Sequence, residues 1–349
     1  MKEYLTYNDV AIKPKLSTVN SRSECKPVSE LFGQKYDVPI ISSPMETVTE
    51  YAMALELNNL GGIGAVHRFM SIEQQVEIAS TLNYHASTSK QQVAIHSIGI
   101  NGDYKERVAE LYKNNVRWFL LDVANGWHIN VKDAVNHFKS EYLDIKIIAG
   151  NICTAEAYTD FIDWGVDAAR VGIGGGANCT TRIKTGVGLP NFTVTQEIVE
   201  VKLNSSKPIP IIIDGGIKET GDYAKALGAG ADFVMLGSLL AATAETPNPI
   251  VKQGQWPNQQ LYKKHYGSAS MEAKVNQGKE AKNVEGASSF LPYKGHVERI
   301  IGDLQDGLKS SMSYVDARTL EEFHRNCEFV KITTNGQLEA SPHGANLPY

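Results

Sequence analysis

The sequence predicts an α/β fold, a single-domain (β/α)8 TIM barrel, and three observations carry that prediction. Eight short apolar runs recur along the chain, amphipathic stretches separate them, and polar or glycine-rich residues follow each run. In order, the runs are "VPIIS" from Val38, "GIGAV" from Gly62, "VAIHSIG" from Val93 and "RWFLLDV" from Arg117. They continue with "IKIIAG" from Ile145, "AARVGI" from Ala168, "IPIIID" from Ile209 and "DFVMLG" from Asp232. Continuous apolar strands are those buried on both faces, as in a parallel sheet covered by helices. "SIEQQVEIASTLN", "YKERVAELYKN", "TAEAYTDFIDWG" and "TGDYAKALGAG" read as the helices between them. The residues after the runs are "SPMET", "HR", "GING", "ANGW", "NICT", "GGGANCTTR", "GGI" and "SLL". Such chemistry at the C-terminal ends of the strands is where a barrel places its site. An open sheet would carry a phosphate loop after its first strand, and no GxGxxG or GxxxxGK[ST] stands there.

Two segments exceed a simple connection: Gly172 to about Pro190, and about Thr243 to Gly295. Both are expected to be lids or binding loops over the site face. No Gly/Ser- or Pro-rich linker divides the chain, so residues 1–349 read as one barrel domain with site loops 172–190 and 243–295. The polar tail 333–349 reads as a flexible or partner-contacting arm.

Composition excludes several classes of function. The 349 residues carry a formal charge of −5 with Lys and Arg dispersed, so no nucleic-acid partner is expected. No apolar run nears the roughly 18 residues of a membrane span, and "MKEYLTYNDV" lacks the apolar core of a signal peptide. Cys25, Cys153, Cys179 and Cys327 are far apart, which supports neither a zinc site nor a disulfide framework. A soluble cytoplasmic protein is the expectation.

The seventh and eighth runs end in "IIIDGG" and "VMLGS". In (β/α)8 barrels the loops after these two strands often bind phosphate through backbone amides. Gly215, Gly216 and Gly237 permit close approach, Ser238 adds a hydroxyl, and Asp214 suits a ribose diol. Tight turns alone would use the same glycines, with Asp214 capping the next helix; two such loops at these two positions favour a phosphate. A phosphorylated sugar or nucleotide is the expected ligand.

Beside them lies "GIGGGANCTTR", Gly172 to Arg182. Cys179 there could be a nucleophile, a metal ligand or a small buried residue, and its place in a glycine-dense loop favours the nucleophile. The thiolate is the reactive form, which amide dipoles or a cation such as Arg182 would favour. Thr181 could pass a proton. Loop carbonyls could also hold a monovalent cation.

These residues resemble the IMP dehydrogenase and GMP reductase family. The same resemblance runs through "LTYNDVAIKPKLSTVNSRSE", "ISSPMETVTE", "AVHRFMSIEQQ", "IIIDGGIKETGDYAKALGAGADFVMLGSLLA" and "LPYKGHVERIIGDLQDGLKSSMSYVDA", from about Tyr4 to Ile332. It implies the barrel, a purine nucleoside monophosphate substrate and an attacking Cys179. It further implies substrate contacts at Ser43, Met45, Tyr266, Gly267 and Gly286 beside Asp214, Gly215, Gly216, Gly237 and Ser238. Asp122 and Asn125 would lie on the cofactor side and Asn151 near the nicotinamide. K+ would be held by the carbonyls of Gly174, Gly176 and Cys179, and a homotetramer is implied.

The reductase branch is the better match. The dehydrogenase's regulatory insert has no room, since Arg68 to Gln91 joins the second and third strands directly. That enzyme hydrolyses its intermediate with an Arg-Tyr pair, and no arginine occurs between Arg182 and Arg299. "NVEGASSFLPYKG" resembles the reductase segment whose glutamate works with the threonine after the cysteine, here Glu285 and Thr181. "DVANG", "AGN" and "KTGVG" agree with that branch. The resemblance therefore implies NADPH-dependent reductive deamination of GMP to IMP and ammonia.

There are departures. Ala177 replaces a serine that contacts the phosphate; Lys282 and Val284 replace an arginine and a serine; Ser268 replaces a methionine. Glu46 stands for an aspartate, and "SSPMETVTE" and "HRFMSIEQQ" look more like the dehydrogenase. The alternatives are an insert-lacking IMP dehydrogenase using NAD, an enzyme for a modified purine monophosphate, a non-catalytic nucleotide sensor and an unrelated phosphate-binding barrel enzyme.

Overall fold

In the computed structural model, which describes residues 1–85, 92–276, 278 and 284–340, all eight apolar runs form strands. They are β1 (Ile40–Ser42), β2 (Ile63–Val66), β3 (Ala94–Ile98), β4 (Trp118–Asp122), β5 (Lys146–Ile152), β6 (Ala168–Val171), β7 (Ile211–Asp214) and β8 (Phe233–Leu236). Every neighbouring pair is parallel, and β8 closes the barrel on β1 with Val234 opposite Ile40. The (β/α)8 barrel is therefore the architecture. The helices packed outside it are α1 (Tyr51–Asn59), α2 (Ile72–His85), α3 (Tyr104–Lys113), α4 (Ile129–Glu141), α5 (Ala155–Asp163), α6 (Asn191–Asn204), α7 (Thr220–Gly228) and α8 (Val297–Tyr314).

Strand side chains alternate between two cores. Ile41, Ile63, Ala65, Ile95, Trp118, Leu120, Ile148, Ala168, Ile212, Phe233 and Met235 fill the barrel interior. Their neighbours, such as Ile40, Phe119, Ile147, Ala169 and Ile213, join the core beneath the helices. A hairpin, Ser29–Leu31 with Gln34–Tyr36, plugs the N-terminal end of the barrel. Phe32 meets Trp118 and Tyr36 meets Phe233 edge to face, with ring centroids 4.9 and 5.8 Å apart.

The excursion from Thr243 to Gly295 contains regular structure that the sequence reading treated as loop. Ile250–Gln253, Gln260–Tyr266 and Ser288–Pro292 form a three-stranded antiparallel sheet. Their composition is polar because one face is solvated, so no apolar run announced them. In the tail, Thr334–Glu339 is a helix whose N-cap is Thr333. Phe329–Lys331 pairs antiparallel with Val10–Ile12. Residues 341–349 and Lys282 lie outside the described residues. No described helix is long and apolar enough to cross a membrane.

His96 lies on the helix-facing side of β3, 2% exposed, and burial holds its pKa down to about 3. The unfolded chain therefore binds the extra proton between about pH 6.5 and pH 3, and stability falls as pH drops through that window. The loss from this residue alone is about 2.5 kcal/mol between pH 7 and pH 4.5. Thermal denaturation of wild type and His96→Leu from pH 7 to 4.5 should show a flatter profile in the variant; parallel profiles would refute it.

Candidate active site at the barrel mouth

The alternation that fills the barrel also places charge at its mouth. Two residues beyond Leu120, Ala168 and Ile212, the inward positions are Asp122, Arg170 and Asp214. The Arg170 guanidinium donates to Asp122 Oδ1 at 2.6 Å and from Nε to Asp214 Oδ2 at 3.0 Å. Its side chain is only 9% exposed. Burial works against its charge, but the two carboxylates outweigh that and raise its pKa above the ordinary value. Asn151 Nδ2 adds a 2.9 Å bond to Asp214 Oδ2 and a 2.7 Å bond to the Gly172 carbonyl. Gly150 makes this layer compact, since a Cβ there would lie 2.5 Å from the Arg170 Cβ. Arg68 Nε lies 3.5 Å from Asp122 Oδ2, with its guanidinium 4.7 Å from the Phe69 ring centre.

The loop after β6 is fastened to this layer by backbone. Gly172 has φ +131°, and a Cβ there would fall 2.1 Å from the Asp214 carbonyl. Gly216 N–H donates to the Gly175 carbonyl at 2.8 Å, and Asn191 Nδ2 donates to the Asp214 and Gly215 carbonyls. Arg182, considered as a cation for the thiolate, clasps the loop instead, donating to the carbonyls of Ile173 and Leu189. Cys179 closes a turn with the Gly176 carbonyl, and its Sγ lies 3.1 Å from Thr181 Oγ1.

The second excursion returns to meet this loop. Cys179 and Gly286 form an antiparallel bridge. Thr180 N–H donates to the Glu285 carbonyl at 2.9 Å and Ala287 N–H to the Asn178 carbonyl at 2.8 Å. Cys179, Thr181 and Glu285 thereby share one wall of a cavity of about 420 Å³. Ser43, Met45, Gly237 and Ser238 line the same cavity, and a Cβ on Gly237 would sit 3.3 Å from both Ser43 Oγ and Met45 Sδ. Gly174, Gly176, Asp122, Asn151, Asp214, Gly215, Gly216, Gly267 and Gly286 also line it. No group of three or more His, Cys, Asp or Glu able to hold a metal occurs among the described residues. Carbonyl sites for K+ are of a different kind.

Two anticipated residues are not on the wall. Asn125 accepts from Trp127 N–H at 3.2 Å in the turn before α4. Tyr266 gives way to His265, because in the strand Gln260–Tyr266 it is Lys263 and His265 that share the buried face. Sequence reasoning also missed Arg170, Arg68 and Phe69. The inward parity of "AARVGI" contained the signal for Arg170.

Fold and site together define a (β/α)8-barrel enzyme with a thiol and a paired hydroxyl at its mouth. The family model for the IMP dehydrogenase / GMP reductase domain matches residues 4–343, and the chain belongs to that family. An inosine-5'-monophosphate dehydrogenase of Borreliella burgdorferi is 33% identical over 399 aligned positions, covering 98% of this chain and 97% of its own. GMP reductase of Onchocerca volvulus is 33% identical over 360 positions, covering 97% and 95%. GMP reductase 2 of Bos taurus is 35% identical over 344 positions, covering 94% of each chain. The family comprises oxidoreductases that act on purine nucleoside monophosphates with nicotinamide cofactors.

Proposed function

We propose that this chain is a GMP reductase, converting GMP to IMP and ammonia with NADPH through a covalent adduct of Cys179 at purine C2. The observation that carries the reading is the backbone pairing of Glu285–Gly286 with Cys179–Thr180, beside a thiol 3.1 Å from the Thr181 hydroxyl. The absence of arginine between Arg182 and Arg299 removes the dehydrogenase's hydrolytic base. Alignment lengths agree: the dehydrogenase aligns over 399 positions against 349 residues here, so it carries inserted residues, whereas the bovine reductase needs 344.

Cys179 Sγ, as thiolate, bonds to C2, and the 2-amino group leaves as ammonia. An amino group leaves poorly unless protonated, and Glu285 supplies that proton through Thr181. The reduced nicotinamide, when bound, supplies the hydride that completes the reduction at C2. Expulsion of the thiolate then gives IMP. Asp214 takes its donors from Arg170 and Asn151 on Oδ2, which leaves Oδ1 for a ribose hydroxyl. The amides around Gly215, Gly216 and Gly237 cradle the phosphate. Asp122 and Asn151 face the cofactor, and the carbonyls of Gly174, Gly176 and Cys179 hold K+. The working form is a cytoplasmic homotetramer.

The test is absorbance at 340 nm, with NADPH plus GMP in one cuvette and NAD plus IMP in another. Loss of absorbance with release of ammonia and IMP is expected. A rise in the second cuvette would overturn the reading in favour of the dehydrogenase, which "SSPMETVTE" and "HRFMSIEQQ" resemble. Activity only with another purine monophosphate would assign Glu46, Ala177 and Ser268 to base and phosphate selection.

A further inference from the structure

The segment from Leu5 to Val10 has no part in the proposed chemistry, yet it is fastened against the turn that carries the cysteine loop. Tyr7–Asp9 form one turn of 3-10 helix, and Asp9 Oδ2 accepts from the Thr6 N–H that caps it at 2.7 Å. Leu5 N–H donates to Thr193 Oγ1 of α6 at 2.8 Å, and Thr193 N–H donates back to the Leu5 carbonyl at 3.3 Å. Lys225 of α7 donates from Nζ to the Tyr7 carbonyl at 2.9 Å. Val10–Ile12 then pairs with Phe329–Lys331. Tyr7 is thereby held from two helices and a strand.

Its buried ring meets Phe192 edge to face, with centroids 6.3 Å apart, and its other neighbour is Gly216. The two atoms nearest to a Cβ built on Gly216 would be Tyr7 Cε2 at 3.3 Å and Cδ2 at 3.5 Å. Gly216, at φ +86°, gives its N–H to the Gly175 carbonyl at 2.8 Å. A Cβ on Gly215 would fall 2.7 Å from the Gly175 carbonyl carbon, so turn and loop touch through backbone alone. One residue on, the Gly176 carbonyl accepts from Cys179 N–H at 3.0 Å.

Glycine gives up more backbone freedom on ordering than any other residue, and this junction is made of Gly172, Gly174, Gly175, Gly176, Gly215 and Gly216. Contacts from outside must hold such chain in one conformation. Asn191 holds the Asp214 and Gly215 carbonyls, and Arg182 holds those of Ile173 and Leu189. The bond from Gly216 to Gly175 lies between these two fastenings and depends on where Gly216 sits. We infer that Tyr7 is a positioning residue for catalysis: its ring holds Gly216 on the Gly175 carbonyl and so fixes the turn that aims Cys179. The inference rests on the reading of Cys179 as the nucleophile. It gives the "LTYNDV" segment a task at the thiol, which it does not itself touch.

The experiment compares wild type, Tyr7→Phe, Tyr7→Ala and a control, Phe138→Ala, which opens a void in the core on α4. In Tyr7→Ala, hydrogen exchange read by mass spectrometry should rise about tenfold over residues 172–182 and 214–218 and stay at the wild-type level over β2 and β3. Its kcat with GMP should fall about 10- to 100-fold and its KM change less than about threefold, because Asn191 still holds the Asp214 and Gly215 carbonyls. Tyr7→Phe keeps the ring and should match wild type in both readouts. Phe138→Ala should lose stability without raising exchange over 172–182. Exchange raised equally around the whole barrel in Tyr7→Ala would make the ring merely structural and overturn the inference. Unchanged kcat would also overturn it, as would a Tyr7→Phe as impaired as Tyr7→Ala. If Tyr7→Ala does not fold, Lys225→Met, which frees the Tyr7 carbonyl and leaves the ring intact, should raise exchange over 172–182 and lower kcat; wild-type values there refute. If the wild type turns over neither GMP nor IMP, the functional reading fails. Exchange over 172–182 in Tyr7→Ala then decides the positioning: a rise supports it, and no change overturns it.

Discussion

Cys179→Ala will bind purine monophosphate with near wild-type affinity and lose turnover by about four orders of magnitude or more. The geometry explains why the two effects separate. The Cys179 backbone, not its thiol, makes the turn to Gly176 and the bridge to Gly286, so alanine leaves the loop and its wall in place. The proposed phosphate cradle at Gly215, Gly216 and Gly237 and the layer of Asp122, Arg170 and Asp214 come from the ends of other strands or from earlier in β6. Only the bond to C2 is lost, and no described neighbour can replace it: Cys153, half-buried below the same loop, has its thiol pKa raised by burial. Equilibrium binding alongside single-turnover kinetics checks this. Residual turnover above about one per cent would mean that chemistry proceeds without the adduct.

Arg170→Met is expected to be the most damaging substitution outside the thiol. Methionine keeps the length of the side chain but leaves Asp122 and Asp214 facing each other without their shared cation. Removing one partner of a buried ion network costs about 3–5 kcal/mol, because the remaining charges stay desolvated. Chemical denaturation should show that loss. Nucleotide affinity should fall with it, since Asp214 would lose its contacts to Arg170 and be held by Asn151 Nδ2 alone. A double variant, Asp122→Asn with Arg170→Met, should recover part of the stability by removing one of the two opposed charges. A loss below about 1 kcal/mol in the single variant would mean that the carboxylates are solvated well enough to stand alone.

The sequence carried the barrel because its signal is local: a run of Ile, Val and Leu buried on both faces reads the same whichever strand lies beside it. The glycine loops and Cys179 were legible because short stretches of chain bring those residues together. Arg170 was harder, since its role exists only when β4, β6 and β7 lie side by side, and nothing near it in the chain indicates the two carboxylates. The exchange of Tyr266 for His265 has another cause. A strand of mixed polarity gives no hydrophobic phase, so which of two adjacent residues turns inward is set by pairing with Ile250–Gln253 and Ser288–Pro292. The sheet within the second excursion escaped notice for the same reason.

The hairpin in the lower end of the barrel has a consequence for traffic. With Leu31, Phe32 and Tyr36 set among Trp118 and Phe233, the interior below the charged layer is solid, and the cavity has a floor. Whatever reaches the thiol must arrive from above, and whatever is released must leave by the same door. In the proposed reaction, ammonia is released while the nucleotide is still covalently attached, so the two products leave in sequence through one opening. The order of departure is then a matter of architecture as much as of affinity.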